Sequence, residues 1–190
     1  PMEGYGAWAS DSLTGTTTVT YEGTLNTGTI NSAPLTLTTV APHDNKGFNF
    51  LGNPYPSAID WDLASGWTRI NIDNAIYIWN PAFGNYGSYI DGASVNDVDN
   101  IIPSGQGFYV HVTDGFTSGS VAVNNDARLH NNKPFFKGHN NSNARLIDLK
   151  IHSEINDYSD QVFLEFKEGC SINFESVSDA YDLLAGLNKA

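Results

Sequence analysis

Two adjoining stretches hold the residue types and spacings best suited to chemistry. Residues 80–90 read Asn-Pro-Ala-Phe-Gly-Asn-Tyr-Gly-Ser-Tyr-Ile, with Phe83, Tyr86 and Tyr89 three apart among glycines. Exposed aromatic rings on a rigid β scaffold stack well against the apolar faces of sugar rings. Asn80, Asn85 and Asp91 would then hydrogen-bond sugar hydroxyls, and Trp61, Trp67 and Trp79 are further candidates. The competing reading has these aromatics filling a core or covering a hairpin. For Trp79, inside the apolar run Ala-Ile-Tyr-Ile-Trp, the core is the expectation. Residues 91–100 follow directly and crowd oxygen ligands: Asp91, Asn96, Asp97, Asp99 and Asn100. Calcium takes six to eight oxygens, often from one loop with its backbone carbonyls. The spacing is not that of an EF-hand, whose terminal Glu is missing. The stretch therefore reads either as a solvated acidic loop or as a structural Ca²⁺ site, with residues 71–74 as a partner segment or a plain turn.

Other chemistries find less support. Histidines 43, 111, 130, 139 and 152 are scattered, with no pair at metal-ligand spacing. No nucleophile elbow, HExxH or Ser-His-Asp set is evident. Asp60 and Asp62 would share one face of an extended strand at about 6–7 Å, a separation that suits a glycosidase. Such pairs are common in acidic β proteins, so a glycoside hydrolase fragment is the weakest reading and no enzyme is expected. Cys170 is the single cysteine, which excludes an intramolecular disulfide and a cysteine-based zinc site; it reads as a small buried hydrophobe. Gly105-Gln-Gly107 enters a strand and lacks the helix of a nucleotide-binding loop, so it reads as a turn.

The elements that must carry these residues are strands. Residues 16–21, 35–39, 48–51, 75–79, 107–112, 120–124, 146–152 and 161–166 are β-prone or alternate in polarity. Turns rich in Gly, Pro and Asn separate most of them at short spacing. That pattern predicts an all-β antiparallel sandwich, jelly-roll-like or Ig-like. A short helix is expected only at residues 177–187. The polar stretch 138–144 reads as a linker between a sandwich module, 1–137, and a partial second β region, 145–190. Gly4-Tyr-Gly-Ala-Trp-Ala-Ser-Asp and Gly107-Phe-Tyr-Val-His-Val-Thr-Asp echo each other, each followed by a second β-prone run, so a β-hairpin is expected at either end of the module.

Residues 51–62, LGNPYPSAIDWD, pack two prolines and a Gly-Asn pair among rigid apolar residues. Pro54 and Pro56 push their preceding residues toward extended backbone and withhold donors. Gly52-Asn53 suits a turn, so Tyr55, Ile59 and Trp61 can pack where the chain turns a corner. The totals narrow the partners. Of 190 residues 16 % are charged, and the formal net charge is −12. That balance argues against nucleic acid, which requires Lys/Arg clusters. No apolar run approaches membrane-spanning length, so no membrane insertion is expected. Pro-Met-Glu-Gly at the start lacks the basic and apolar regions of a signal peptide, and the chain reads as a piece of a larger protein.

Gly-Asn-Pro-Tyr-Pro-Ser-Ala-Ile-Asp-Trp61, followed by Asn74-Ala-Ile-Tyr-Ile-Trp-Asn-Pro81, resembles secreted and surface proteins of the Bacteroidetes. Gly84-Asn-Tyr-Gly-Ser-Tyr89, Ile102-Pro-Ser-Gly-Gln-Gly-Phe-Tyr109, Asn124-Asn-Asp-Ala-Arg128 and Pro134-Phe-Phe-Lys137 extend the resemblance. It covers nearly the whole chain. In those proteins such a segment often precedes a C-terminal sorting domain of the type IX secretion system. The resemblance implies an accessory β module, secreted or on the outer cell surface, attached to other domains of a parent chain. It implies no chemistry and supplies no catalytic residues. The expected role is non-catalytic, structural or adhesive. The alternative is a carbohydrate-binding module that meets a polysaccharide or other surface glycan through Phe83, Tyr86, Tyr89, Asn80 and Asn85.

Overall fold

A computed structural model describes residues 2–6, 22–37, 46–131 and 133, together with the strand backbones of 146–152 and 159–165. Among these residues there is no α-helix. The strands are β1 (Ile30–Asn31), β2 (Leu35–Thr36), β3 (Phe48–Gly52), β4 (Ala58–Asp60), β5 (Trp67–Ile70), β6 (Ile76–Asn80) and β7 (Asn85–Ile90). They continue with β8 (Ala93–Ser94), β9 (Ile101–Ile102), β10 (Gly107–His111), β11 (Ser118–Val123), β12 (Arg128–Leu129), β13 (Leu146–His152) and β14 (Ser159–Glu165). The pairings between them are antiparallel.

One sheet has five strands in the order β3-β10-β6-β7-β8. A second is built on β11, which pairs β1 and β2 along one path and also β5. A small sheet, β12-β4-β9, accompanies them, and β13 pairs β14 in register from Leu146↔Glu165 to His152↔Ser159. The core lies between the first two sheets. Alternation along each strand delivers it: Ile76 and Ile78 from β6, Phe108 and Val110 from β10, Val121 and Val123 from β11 and Trp67 from β5 join one buried cluster. The expected all-β sandwich architecture is what forms.

Most strands expected from β-propensity are present with bounds close to those read from the sequence. The expected strand 16–21, the linker 138–144, the helix 177–187 and Cys170 lie outside the described residues. So does most of the N-terminal copy of the expected hairpin. The C-terminal copy is corrected. Both of its strands form, but β10 pairs β3 and β6 while β11 pairs β1, β2 and β5. The turn between them passes from one sheet to the other. Each strand has an apolar face to bury, and packing those faces against one another outweighs pairing the neighbouring edges.

LGNPYPSAIDWD is the corner where the sheets meet. Asn53 is buried, and its side-chain amide donates toward the carbonyls of Ser57, Ile102 and Pro103 at 2.9, 3.3 and 2.9 Å. Its Oδ1 accepts the Tyr55 N–H at 3.0 Å. The Tyr55 ring is buried, and its hydroxyl reaches the carbonyls of Gly28 and Val123 at 2.5 and 3.0 Å. Trp61 is fully buried, packs edge-on against Trp67 and donates Nε1–H to the Asn74 carbonyl at 2.9 Å. The prolines therefore sit in a segment whose polar groups are satisfied partly from within and largely by distant segments: Asn26 donates to the Pro54 carbonyl and Ser104 to that of Tyr55.

Candidate ligand-contacting face

Asn80–Tyr89 is a strand hairpin and not a free loop, and this divides the expected glycan residues. Asn80 closes the turn. Its Oδ1 accepts the Ala82 N–H at 3.0 Å and its amide donates to the Asn96 carbonyl at 2.9 Å, all of it buried. Gly84 adopts φ +62°, and Phe83 N–H donates to the Asn80 carbonyl. The chain then enters β7, where Asn85 Oδ1 accepts from the Tyr86 N–H at 2.8 Å. Residues three apart on a strand face opposite ways. Tyr86 accordingly lies on the outer face of the five-stranded sheet, while Tyr89 is 6 % exposed and joins the core. The expected platform of Phe83, Tyr86 and Tyr89 does not assemble on one surface. Asn80 braces the turn instead of lining it.

A different run of rings does assemble. Trp79 on β6 stands opposite Tyr86 on β7, with ring centroids 5.1 Å apart and edge to face. Tyr86 meets Tyr109 of β10 at 5.6 Å, and Tyr109 meets Phe50 of β3 at 4.6 Å. The run crosses the outer face of the sheet. Trp79 is 43 % exposed, which corrects its expected place in the core: Ile76 and Ile78 take the inward positions, so the alternate position 79 turns out. Tyr86, Tyr109 and Phe50 are half-buried. Phe83, at 42 % exposure, sits in the turn next to Trp79's strand. Burial pushes the Tyr86 hydroxyl up to about 12, with Tyr109 adding to the effect. Period-two alternation carried the signal for this face. Both Ile-Tyr-Ile-Trp and Phe-Tyr-Val-His place rings at every outward position.

The oxygen-rich stretch folds as turns. Asp91, Asn96 and Asp97 have positive φ of 45°, 49° and 62°. Asn and Asp tolerate that region better than other side chains, which accounts for their density here. Asn96 donates to the Tyr86 carbonyl at 2.8 Å; Asp99 caps the Ile101 N–H at 2.8 Å and meets Lys133. Among the described residues no three His, Cys, Asp or Glu side chains converge as a metal cluster. Of the expected calcium set, Asn96 and Asp99 hold the β7–β9 connection with their side chains, while Asp91 and Asp97 stand at its turn positions with positive φ.

Other polar groups are similarly engaged. Asp60 ends β4 and Asp62 lies in the following turn, so the extended-strand geometry expected for the pair is not adopted. Asp60 Oδ1 accepts from the Asp62 N–H and from Asn100 Nδ2 at 2.9 and 2.7 Å. Asp62 Oδ2 accepts from the Tyr89 hydroxyl at 2.5 Å; burial first, and this bond second, raise the Tyr89 ionisation well above its ordinary value. His111 is buried, with Nδ1 2.7 Å from Asp73 Oδ2, and Thr113 donates to Asp73 Oδ1 at 2.6 Å. A nucleophilic relay would have the hydroxyl bond the imidazole. Here it bonds the carboxylate, which ties β10 to the start of β6.

Residues 2–186 match a protein family described as a domain of unknown function (DUF8693). The chain belongs to that family. No curated protein and no solved structure matches it. The DUF8693 match runs through the sandwich, the stretch 138–144 and the β13–β14 pair as one family unit.

Proposed function

We propose that this chain is a non-catalytic β-sandwich module of an exported, cell-surface protein, with a structural and adhesive role. One observation carries the non-catalytic part. The carboxylates, the imidazole and the hydroxyls best placed to act are engaged in holding turns and joining strands: Asp60 and Asp62 in the corner, Asp73, His111 and Thr113 between β10 and the approach to β6. Export to the outer surface, and a parent chain sorted by the type IX system, rest on the motifs that resemble Bacteroidetes surface proteins. A β-rich scaffold suits that setting because ladder hydrogen bonds and buried faces hold it together without disulfides. Protease shaving of intact cells that make the parent chain tests this reading. Release of fragments from this module without lysis supports it, and protection until lysis overturns it.

A second reading, carbohydrate binding, is favoured by the exposure of Trp79 beside Tyr86. A glycoside hydrolase fragment is disfavoured by the turn geometry of Asp60 and Asp62; turnover of a panel of chromogenic glycosides, abolished by Asp62→Asn, would revive it.

A further inference from the structure

We infer that the outer face of the five-stranded sheet is a platform for an uncharged polysaccharide, whose pyranose rings stack along Trp79, Tyr86, Tyr109 and Phe50. The inference rests on the adhesive reading above and goes beyond it by naming the ligand class and the residues. Four rings from four strands lie in unbroken contact, at 5.1, 5.6 and 4.6 Å between successive centroids. Each is held by a ladder: Trp79↔Tyr86 across β6–β7 and Tyr109↔Phe50 across β10–β3. Rings fixed in this way lose little freedom when a ligand arrives. A pyranose presents C–H groups on its faces and hydroxyls at its edge. The rings stand edge to face at 74° and 86° and nearer parallel at Tyr109–Phe50, 33°, so the run offers separate stacking faces, with Trp79 the most exposed, and leaves sugar edges to water and to tyrosine hydroxyls. The strip offers both kinds of contact, since Trp79 and Phe50 are apolar there while Tyr86 and Tyr109 carry hydroxyls.

Charge selects among occupants. The chain's formal net charge is −12, which disfavours a polyanionic glycan, nucleic acid or a second copy of the same chain on this face. An uncharged chain meets no such penalty. Phe116, also exposed, lies in the β10–β11 turn, outside the run of ring contacts, and serves as a control.

Affinity electrophoresis of the intact protein in gels containing xyloglucan, mixed-linkage β-glucan, galactomannan or polygalacturonate tests the inference. At least one neutral polymer is expected to retard the protein. Trp79→Ala is expected to weaken that binding by about tenfold or more, and Phe116→Ala to leave it unchanged. Trp79→Leu keeps apolar bulk without a flat ring and is expected to lose binding while melting with the parent protein. Four results overturn the inference: no retardation by any neutral polymer, equal retardation of the Trp79 variants, retardation by polygalacturonate alone, or a dimer in sedimentation that Trp79→Ala abolishes. Failure here with successful shaving of the module from cells removes the platform and leaves the surface-module reading standing.

Discussion

Asn53 shows how much of a corner can depend on one amide. Its NH₂ reaches the carbonyl of Ser57 in its own segment and those of Ile102 and Pro103 across the fold, while its oxygen holds the Tyr55 N–H. Replacing it with Ala leaves buried acceptors without donors. Asn53→Ala is expected to destabilise the fold by about 2–3 kcal/mol in urea unfolding, whereas loss of under about 0.5 kcal/mol would show that water substitutes for the amide. Tyrosines set a second expectation. Tyr86 keeps its proton to about pH 12 when folded, against an ordinary value of 10.0, and Tyr55 and Tyr89 shift the same way. Above pH 10 the unfolded chain gives up protons that the folded chain retains. This contribution to stability is fully present below pH 10 and is lost as pH rises through about 12. Denaturation midpoints should fall across that window, and Tyr86→Phe should flatten the fall. An identical slope in the variant would remove Tyr86 from the account.

Elements impose constraints that single residues do not reveal. In β7 a spacing of three sends Tyr86 outward and Tyr89 inward, so one short segment serves both the outer face and the core. Close approach between elements is equally demanding. A Cβ at Gly66 would lie 2.5 Å from the Cβ and N of Ala127, because a turn of 3₁₀-helix at Ala64–Gly66 packs against another at Asn125–Ala127. Gly66 has no positive φ, so space and not backbone conformation is the reason for glycine there. Gly66→Ala is expected to cost about 1–3 kcal/mol by thermal or chemical unfolding. An unchanged midpoint would mean that the two turns separate freely.

At the scale of the whole molecule, topology is non-local. Ile30 pairs Val123, Met2–Gly4 hydrogen-bond β3, and consecutive β10 and β11 enter different sheets. Such pairings must close long loops before any contact repays them, which slows folding relative to a helical bundle. Refolding followed by the fluorescence of buried Trp61 and Trp67 is expected on a scale of ~milliseconds to seconds. A phase of a few microseconds that recovers the full signal would contradict this order of assembly. The acidic balance acts at this scale as well, since a formal net charge of −12 disfavours the approach of polyanions without deciding how the strands pack.

Alternation, turn residues and composition were enough to determine an all-β sandwich, most of its long strands and the corner at LGNPYPSAIDWD. These are local properties, since a period of two and a proline-fixed backbone act within a few residues. The strand Asn85–Ile90 was not legible because asparagine, glycine and serine dilute its intrinsic propensity, and Trp67–Ile70, though β-prone, because four residues are too short a run to stand out; pairing across the sheets fixes both. Of the candidate site, Tyr86 and Phe83 were identified from sequence as aromatic candidates near the exposed surface. Trp79, a further candidate, and Tyr109 became neighbours of Tyr86, and Phe50 of Tyr109, only through strand order, and the union of Asp73 with His111 only through the approach of β10 to the start of β6. Which face of a strand meets water depends on which sheet lies against it, and that is a property of the assembled fold.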